Sequence, residues 1–98
     1  MTAAPLGVHN ARGEGVLRVE WPGGRVQRLG HGLLRAACPC SQCRARRLRG
    51  GLDLVAEGVR IQRILPQGYG VQLVFDDGHE RGIYPWAYLQ GLGTAGDP

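Results

Sequence analysis

The sequence predicts an α+β fold: a small antiparallel sheet of hairpins, with a short helix before a cysteine-rich loop and a C-terminal helix. Three observations carry that expectation. Val16 to Trp21 alternates apolar and charged residues and runs into Pro22-Gly23-Gly24, the pattern of a half-buried strand and its turn. Val71 to Phe75 alternates likewise and leads to Asp77-Gly78, a favoured pair for a tight hairpin turn. Two short stretches, Leu33 to Ala37 and Trp86 to Leu92, carry helix formers or helical spacing instead.

Met1 to Gly15 is rich in Ala, Gly and Pro and shows no period, so it reads as a flexible leader. In the first strand Leu17, Val19 and Trp21 share one face, opposite Arg18 and Glu20. Arg25 to Leu29 returns with weaker alternation as the second strand of a hairpin. Gly30 to Ala37 makes one or two helical turns, and Pro39 ends any helix there. Residues 53–65 suit a strand, best from Val59 to Leu65, and Pro66-Gln67-Gly68-Tyr69-Gly70 reads as a loop. After the strand at Val71 to Phe75, Glu80 to Tyr84 is the expected return strand. Pro85 fits the first position of a helix, where its missing N–H costs nothing. Trp86, Leu89 and Leu92 then give that helix an apolar face, and Gly91 and Gly93 end it. Thr94 to Pro98 is a flexible tail. The expected organisation is one domain over residues 16–93, between a leader, 1–15, and a tail, 94–98.

Composition agrees with a single small core. The chain has 98 residues, 43% hydrophobic and 20% charged, ordinary for a globular domain but small enough that a metal staple would help. Every basic side chain among the 12 is arginine, and the net charge of +4 suits acidic partners without specifying one. No apolar run reaches membrane-spanning length, and no basic-then-apolar leader opens the chain. A cytoplasmic setting with reduced thiols is the expectation, and there clustered cysteines point to metal rather than disulfide.

All the cysteines lie in Cys38-Pro39-Cys40-Ser41-Gln42-Cys43. A bridge between Cys38 and Cys40 would be strained, and an odd thiol would be left over. Soft thiolates gathered in this way suit zinc or an iron–sulfur centre, and either wants a fourth ligand. The histidines on offer are His9, His31 and His79. His9 falls in the leader, and His31 reads as a solvent-facing residue at the start of the short helix. His79 stands beside a rigid turn at the end of the clearest strand, and there it would tie the cysteine loop to the second hairpin. The expected ligands are therefore Cys38, Cys40, Cys43 and His79.

Arg44, Arg46, Arg47 and Arg49 follow with no acidic residue nearby, a possible anion patch. Their plainest role is to offset the charge of about −1 on a zinc with three thiolates and a neutral imidazole. Aromatic residues are absent from the run, which argues against nucleic acid. Asp76 and Asp77 are adjacent and turn-like, suited to the turn or to orienting His79 rather than to acid–base work across a cleft. Ser41 has no visible partner triad. No catalytic residues are expected.

The order Leu34-Arg35, Cys38-Pro39-Cys40-x-x-Cys43-Arg44, Phe75-Asp76-Asp77-Gly78-His79 and Ile83-Tyr84-Pro85-Trp86-x-x-Leu89 resembles a known family. It is the gamma-butyrobetaine hydroxylase-like N-terminal domain, also found as a stand-alone bacterial domain of unknown function. The resemblance runs from about Val16 to Leu92. It implies one zinc held by Cys38, Cys40, Cys43 and His79. It does not carry over hydroxylase activity: no His-x-Asp iron motif or oxoglutarate-binding arginine pattern can be placed, and the chain ends where the oxygenase domain of the hydroxylases would begin. Relatives of the domain also occur fused to P-loop ATPases of iron–sulfur cluster assembly. The expectation is thus a zinc-closed structural module that docks onto a protein partner. The alternative is an accessory or carrier domain in iron–sulfur cluster assembly that binds a [2Fe–2S] cluster or acts with such an ATPase.

Overall fold

The computed structural model describes residues 4–50 and 58–92. The tail at 94–98 and the part of the strand expected from Asp53 to Glu57 fall outside the described residues. The architecture is α+β, with two three-stranded antiparallel sheets where the sequence suggested one. In the first sheet β1 (Gly7–Ala11), β2 (Val16–Glu20) and β3 (Val26–Gly30) pair in order. In the second, β4 (Ile61–Gln67), β5 (Gly70–Phe75) and β6 (Gly82–Pro85) do the same. Between the sheets lie α1 (His31–Ala36) and α2 (Ser41–Leu48), and α3 (Trp86–Gln90) follows β6. No helix among the described residues is long and apolar enough to cross a membrane.

The expected leader is corrected in its described part. Gly7 to Ala11 is a strand registered on β2, with Gly7 opposite Glu20 and Ala11 opposite Val16. Its own residues carry no clean alternation because the strand is half-buried along most of its length. Its place is fixed by the β2 ladder rather than by an apolar face of its own. A single turn of 3-10 helix, Arg12–Glu14, connects the two strands.

Alternation elsewhere reports burial faithfully. Leu17 and Val19 of β2, and Trp21 after it, are buried, as are Val71, Leu73 and Phe75 of β5. These residues join Leu29, Leu34, Ile61, Tyr84 and Leu89 in one continuous core spanning both sheets. The weak alternation of β3 has a specific cause, for Gln27 occupies a core position and is 2% exposed. Its side chain accepts the indole N–H of Trp21 at 2.8 Å and donates to the carbonyls of Leu89 and Gln90 at 3.0 and 3.2 Å. Those carbonyls lie in the last turn of α3, and that of Leu89 also accepts the N–H of Leu92, so one buried amide caps the last helix from the first hairpin.

His31 is also corrected. Instead of facing solvent it is 1% exposed, and its Nδ1 accepts the backbone N–H of Ile61 at 3.1 Å. Asn10 Nδ2 donates to the carbonyl of Ile61 at 2.8 Å. The first residue of β4 is thereby held through both of its backbone groups, to β1 by Asn10 and to the start of α1 by His31. Two boundaries also move. Pro66 and Gln67 lie within β4, leaving a tight connection to β5. The return strand β6 begins only at Gly82, because residues 76–81 form the wider loop that carries His79.

Candidate metal centre

The three thiols arrive by different routes. Helix α1 ends at Ala36, and Cys38 follows, fully buried. Pro39 keeps the chain extended, and Cys40 takes the N-cap position of α2 with φ −63° and ψ 157°. Cys43 lies in the first turn of α2, pointing back into the core at 2% exposure. His79 comes from the loop after β5, where Gly78 at φ +87° takes the left-handed turn foreseen for Asp77-Gly78.

These elements bring the four donors together. The Nε2 atom of His79 is 2.9 Å from Cys38 Sγ, 3.7 Å from Cys40 Sγ and 3.8 Å from Cys43 Sγ. All four ligand atoms lie within 4.8 Å of one another, and the group can hold a metal ion. Cys38 and Cys43 are buried, while Cys40 and His79 are half-exposed, so the cluster sits at the edge of the core. All three cysteines are free thiols. Of the other two histidines, His9 lies on β1 with its Nε2 3.7 Å from Glu20 Oε1, and His31 is committed to Ile61.

The surroundings fix the donors. Asp77 Oδ1 accepts the backbone N–H of His79 at 3.1 Å, and Asp77 Oδ2 accepts Nε–H of Arg35 at 2.9 Å. The same guanidinium places Nη1 3.9 Å from Cys43 Sγ. Arg35 thus links the turn that presents His79 to one of the sulfurs. Some burial opposes ionisation of Asp77, but the His79 N–H and the Arg35 charge outweigh it and hold the carboxyl below its ordinary range. The two aspartates divide their work, since Asp76 instead pairs with Arg60 at the entry to β4, accepting its N–H at Oδ1 at 3.0 Å.

Side chains also clamp the backbone that carries the thiols. Arg47 donates to the carbonyls of Ala36 at 2.9 Å and Cys38 at 2.6 Å. Tyr88 donates to the carbonyl of Ala37 at 2.5 Å, and Tyr84 to that of Leu34. Gly82 makes room, because a Cβ there would lie 2.8 Å from Cys38 Sγ and 3.0 Å from Tyr84 Cε1. Sequence reasoning missed Arg35, Gly82, Tyr84 and Tyr88 as parts of the site. Arg35 carried one readable signal, its place one helical turn before Cys38. Within the arginine run, Arg47 serves the cysteine segment, whereas Arg44 and Arg49 are exposed. The Arg46 side chain lies outside the described set.

Electrostatics divide the thiols. Burial pushes Cys38 up to about 12, and the neighbouring Cys40 and Cys43 sulfurs add to the rise. Cys40 moves the other way. Burial again opposes its ionisation, but the N–H groups of Cys43 and Gln42 in the first turn of α2 and the adjacent thiols outweigh it. A buried neutral thiol beside a favoured thiolate is poor company without a cation, and a metal removes the conflict by taking all three as thiolates. Among the described residues no other group of three or more such donors converges.

A model of the N-terminal domain of gamma-butyrobetaine hydroxylase-like proteins matches residues 8–90. A crystal structure of a DUF971 family protein of unknown function from Acidithiobacillus ferrooxidans is 35% identical, with a TM-score of 0.73 over 90% of both chains. A solution NMR structure is 31% identical, with a TM-score of 0.75, over 94% of this chain and 70% of the other. A second NMR structure, at 23% identity and a TM-score of 0.69 over 95% and 74% of the two chains, shares the fold. No curated protein matches.

Proposed function

The chain belongs to the gamma-butyrobetaine hydroxylase-like N-terminal family, and we propose that it is a zinc-closed structural module that serves protein interaction rather than catalysis. One observation carries the reading: three sulfurs and one imidazole nitrogen, drawn from two distant parts of the chain, converge within 4.8 Å. Tetrahedral zinc with Zn–S of about 2.3 Å and Zn–N of about 2.0 Å sets neighbouring donors roughly 3.5–3.8 Å apart. The separations of 3.7 and 3.8 Å from His79 to Cys40 and Cys43 match that spacing, whereas the 2.9 Å from His79 to Cys38 is a hydrogen-bond distance that a bound ion would widen. A binuclear cluster needs its ligand pairs spread across two irons, so so tight a quartet favours a single ion.

Four protein donors fill a tetrahedral ion and leave no place for substrate or activated water, the mark of a structural site. When bound, zinc would supply a cross-link between the α1–α2 segment and the β5–β6 loop, and its binding energy would add to folding energy. Arg35 would offset the excess thiolate charge from beside Cys43, and Asp77 would hold both Arg35 and the His79 backbone.

Native mass spectrometry and metal analysis of untreated protein test this directly. The expected result is one zinc per chain in a colourless protein. Visible absorption with stoichiometric iron would replace zinc by a [2Fe–2S] centre. Cys40→Ser should lower metal content and melting temperature together, and unchanged melting with metal lost would sink the structural role. His79→Ala should act in the same direction but less strongly, since water can fill one place. Full metal retention in that variant would remove His79 from the ligand set.

A further inference from the structure

Beside the metal centre, Pro39, Arg44, Arg47, Leu48 and Tyr88 line an open groove of about 250 Å³. Its walls come from the cysteine segment, α2 and α3. Arg44, Arg47 and Leu48 follow at i, i+3 and i+4, so they share one stripe of α2. Leu48 is 83% exposed and Tyr88 37% exposed, which makes an apolar surface flanked by guanidinium groups.

We propose that this groove is the surface by which the chain docks its protein partner, and that the occupant is a short acidic peptide segment carrying one large apolar side chain. Charge complementarity supports that occupant. From Pro39 to Gly50 the sequence has four arginines outside Gly, Leu and uncharged residues, and no Asp or Glu. The Arg44 side chain has no hydrogen bond or ion pair among the described residues, whereas Arg18, Arg28 and Arg35 each face a carboxylate elsewhere. The volume points the same way, being below the roughly 300–1,000 Å³ of cofactor-sized pockets but enough for one side chain.

The groove is also held in shape. The Tyr88 hydroxyl is bonded to the Ala37 carbonyl, and Arg47 to those of Ala36 and Cys38. Little ordering is left for binding to impose. Because those carbonyls belong to the cysteine segment, the proposal rests on the zinc reading for the rigidity of its walls. Nucleic acid fits less well. It needs a track of cations along a phosphate backbone and open aromatic faces for stacking. Here the one aromatic ring is partly covered and tethered.

The test is a titration of ¹⁵N-labelled, zinc-loaded protein with the peptide Glu-Asp-Phe-Asp-Glu, acetylated and amidated. The same peptide with Gly for Phe, and a short single-stranded thymidine oligonucleotide, run alongside. Shift changes should concentrate on α2 and Tyr88, with a Kd below about 1 mM, and Arg44→Glu and Leu48→Asp should each weaken binding by about tenfold or more. Absence of shifts at these positions with millimolar peptide overturns the proposal. So does equal binding of the Gly peptide, which reduces the effect to net charge, or tighter binding of the oligonucleotide in the same groove. Zinc is quantified in every sample. Full zinc with no peptide binding removes the groove and leaves the metal reading standing. Peptide binding at the groove by a protein that never takes up zinc does the reverse.

Discussion

Helix α2 carries Cys43 and strand β5 leads into the loop that carries His79, and the two are anchored by different means. Six-residue β5 buries Val71, Leu73 and Phe75 on one face and Gly70 at its start. Eight-residue α2 buries Cys43 alone among its described side chains, and its other residues are mostly arginine or small. β5 is held by apolar area removed from water and by ladders to both neighbours. α2 is too short to persist by propensity. It is held by Cys43, by Arg47 on two backbone carbonyls, and by whatever the thiols share with His79. The difference teaches where a metal would matter in a small domain: at a corner on the edge of the core, where α2 contributes a single buried side chain among those described.

The largest expected effect breaks that contrast directly. Stripping metal with a chelator at neutral pH should cost about 3 kcal/mol or more, roughly 15 °C in melting temperature for a domain of this size. Hydrogen exchange should then rise first in α1, α2 and the His79 loop, while β2 and β5 keep their protection. Uniform loss across both regions would mean that the corner and the sheets are one cooperative unit.

Gly82→Ala comes next and sharpens the role of the second sheet in shaping the corner. The new methyl would meet Cys38 Sγ and the Tyr84 ring, both held in place. Destabilisation of about 1–3 kcal/mol is expected from overpacking, with metal affinity reduced alongside. Destabilisation with metal affinity untouched, read by competition with a chromogenic chelator, would separate Gly82 from the thiol.

His31 probes the seam between the sheets. Burial holds its pKa below the ordinary 6.5, and the nearby Arg60 charge and, more weakly, Arg12 add to this, against opposing effects of the Val16 backbone and Asp76. The unfolded chain therefore takes up a proton before the folded chain does. The neutral ring's contribution is complete above about pH 6.5 and declines as pH falls from there toward the lowered folded value. His31→Asn should flatten the pH dependence of chemical unfolding in that window. Parallel pH profiles for the two proteins would count against it.

The smallest effect is a control on the sheets. Glu20 lies within 3.4 Å of Arg18 and 3.7 Å of His9, all well exposed. Glu20→Gln should change stability by less than about 0.5 kcal/mol by denaturant titration. A larger loss would show that the first sheet too depends on polar tethers.

Much of the fold was legible because burial writes itself into local periodicity. β2 and β5 announced their core faces in alternate residues. Gly78 announced a left-handed turn, but within a wider loop than the tight hairpin expected, and Pro85 marked the start of α3 from the N-cap rather than the first helical position. β1 was not legible, since a strand fixed mainly by pairing needs no pattern of its own. Gln27 and His31 misled for a related reason. A polar side chain at a core position looks like a surface residue until its partners are known, and those partners, Leu89 and Ile61, are far away in sequence.

The sequence by itself determined the donor types, their spacing in the Cys-x-Cys-x-x-Cys segment, and the strands that bear the core. Those are local properties, set by the chemistry of a few adjacent side chains. Tertiary structure decided that there are two sheets rather than one, that His79 rather than His9 or His31 meets the sulfurs, and that Arg35, Arg47, Tyr84 and Tyr88 brace them. Each of those outcomes is a meeting of residues distant along the chain. Such meetings depend on how whole elements pack, and no short window of sequence contains that information.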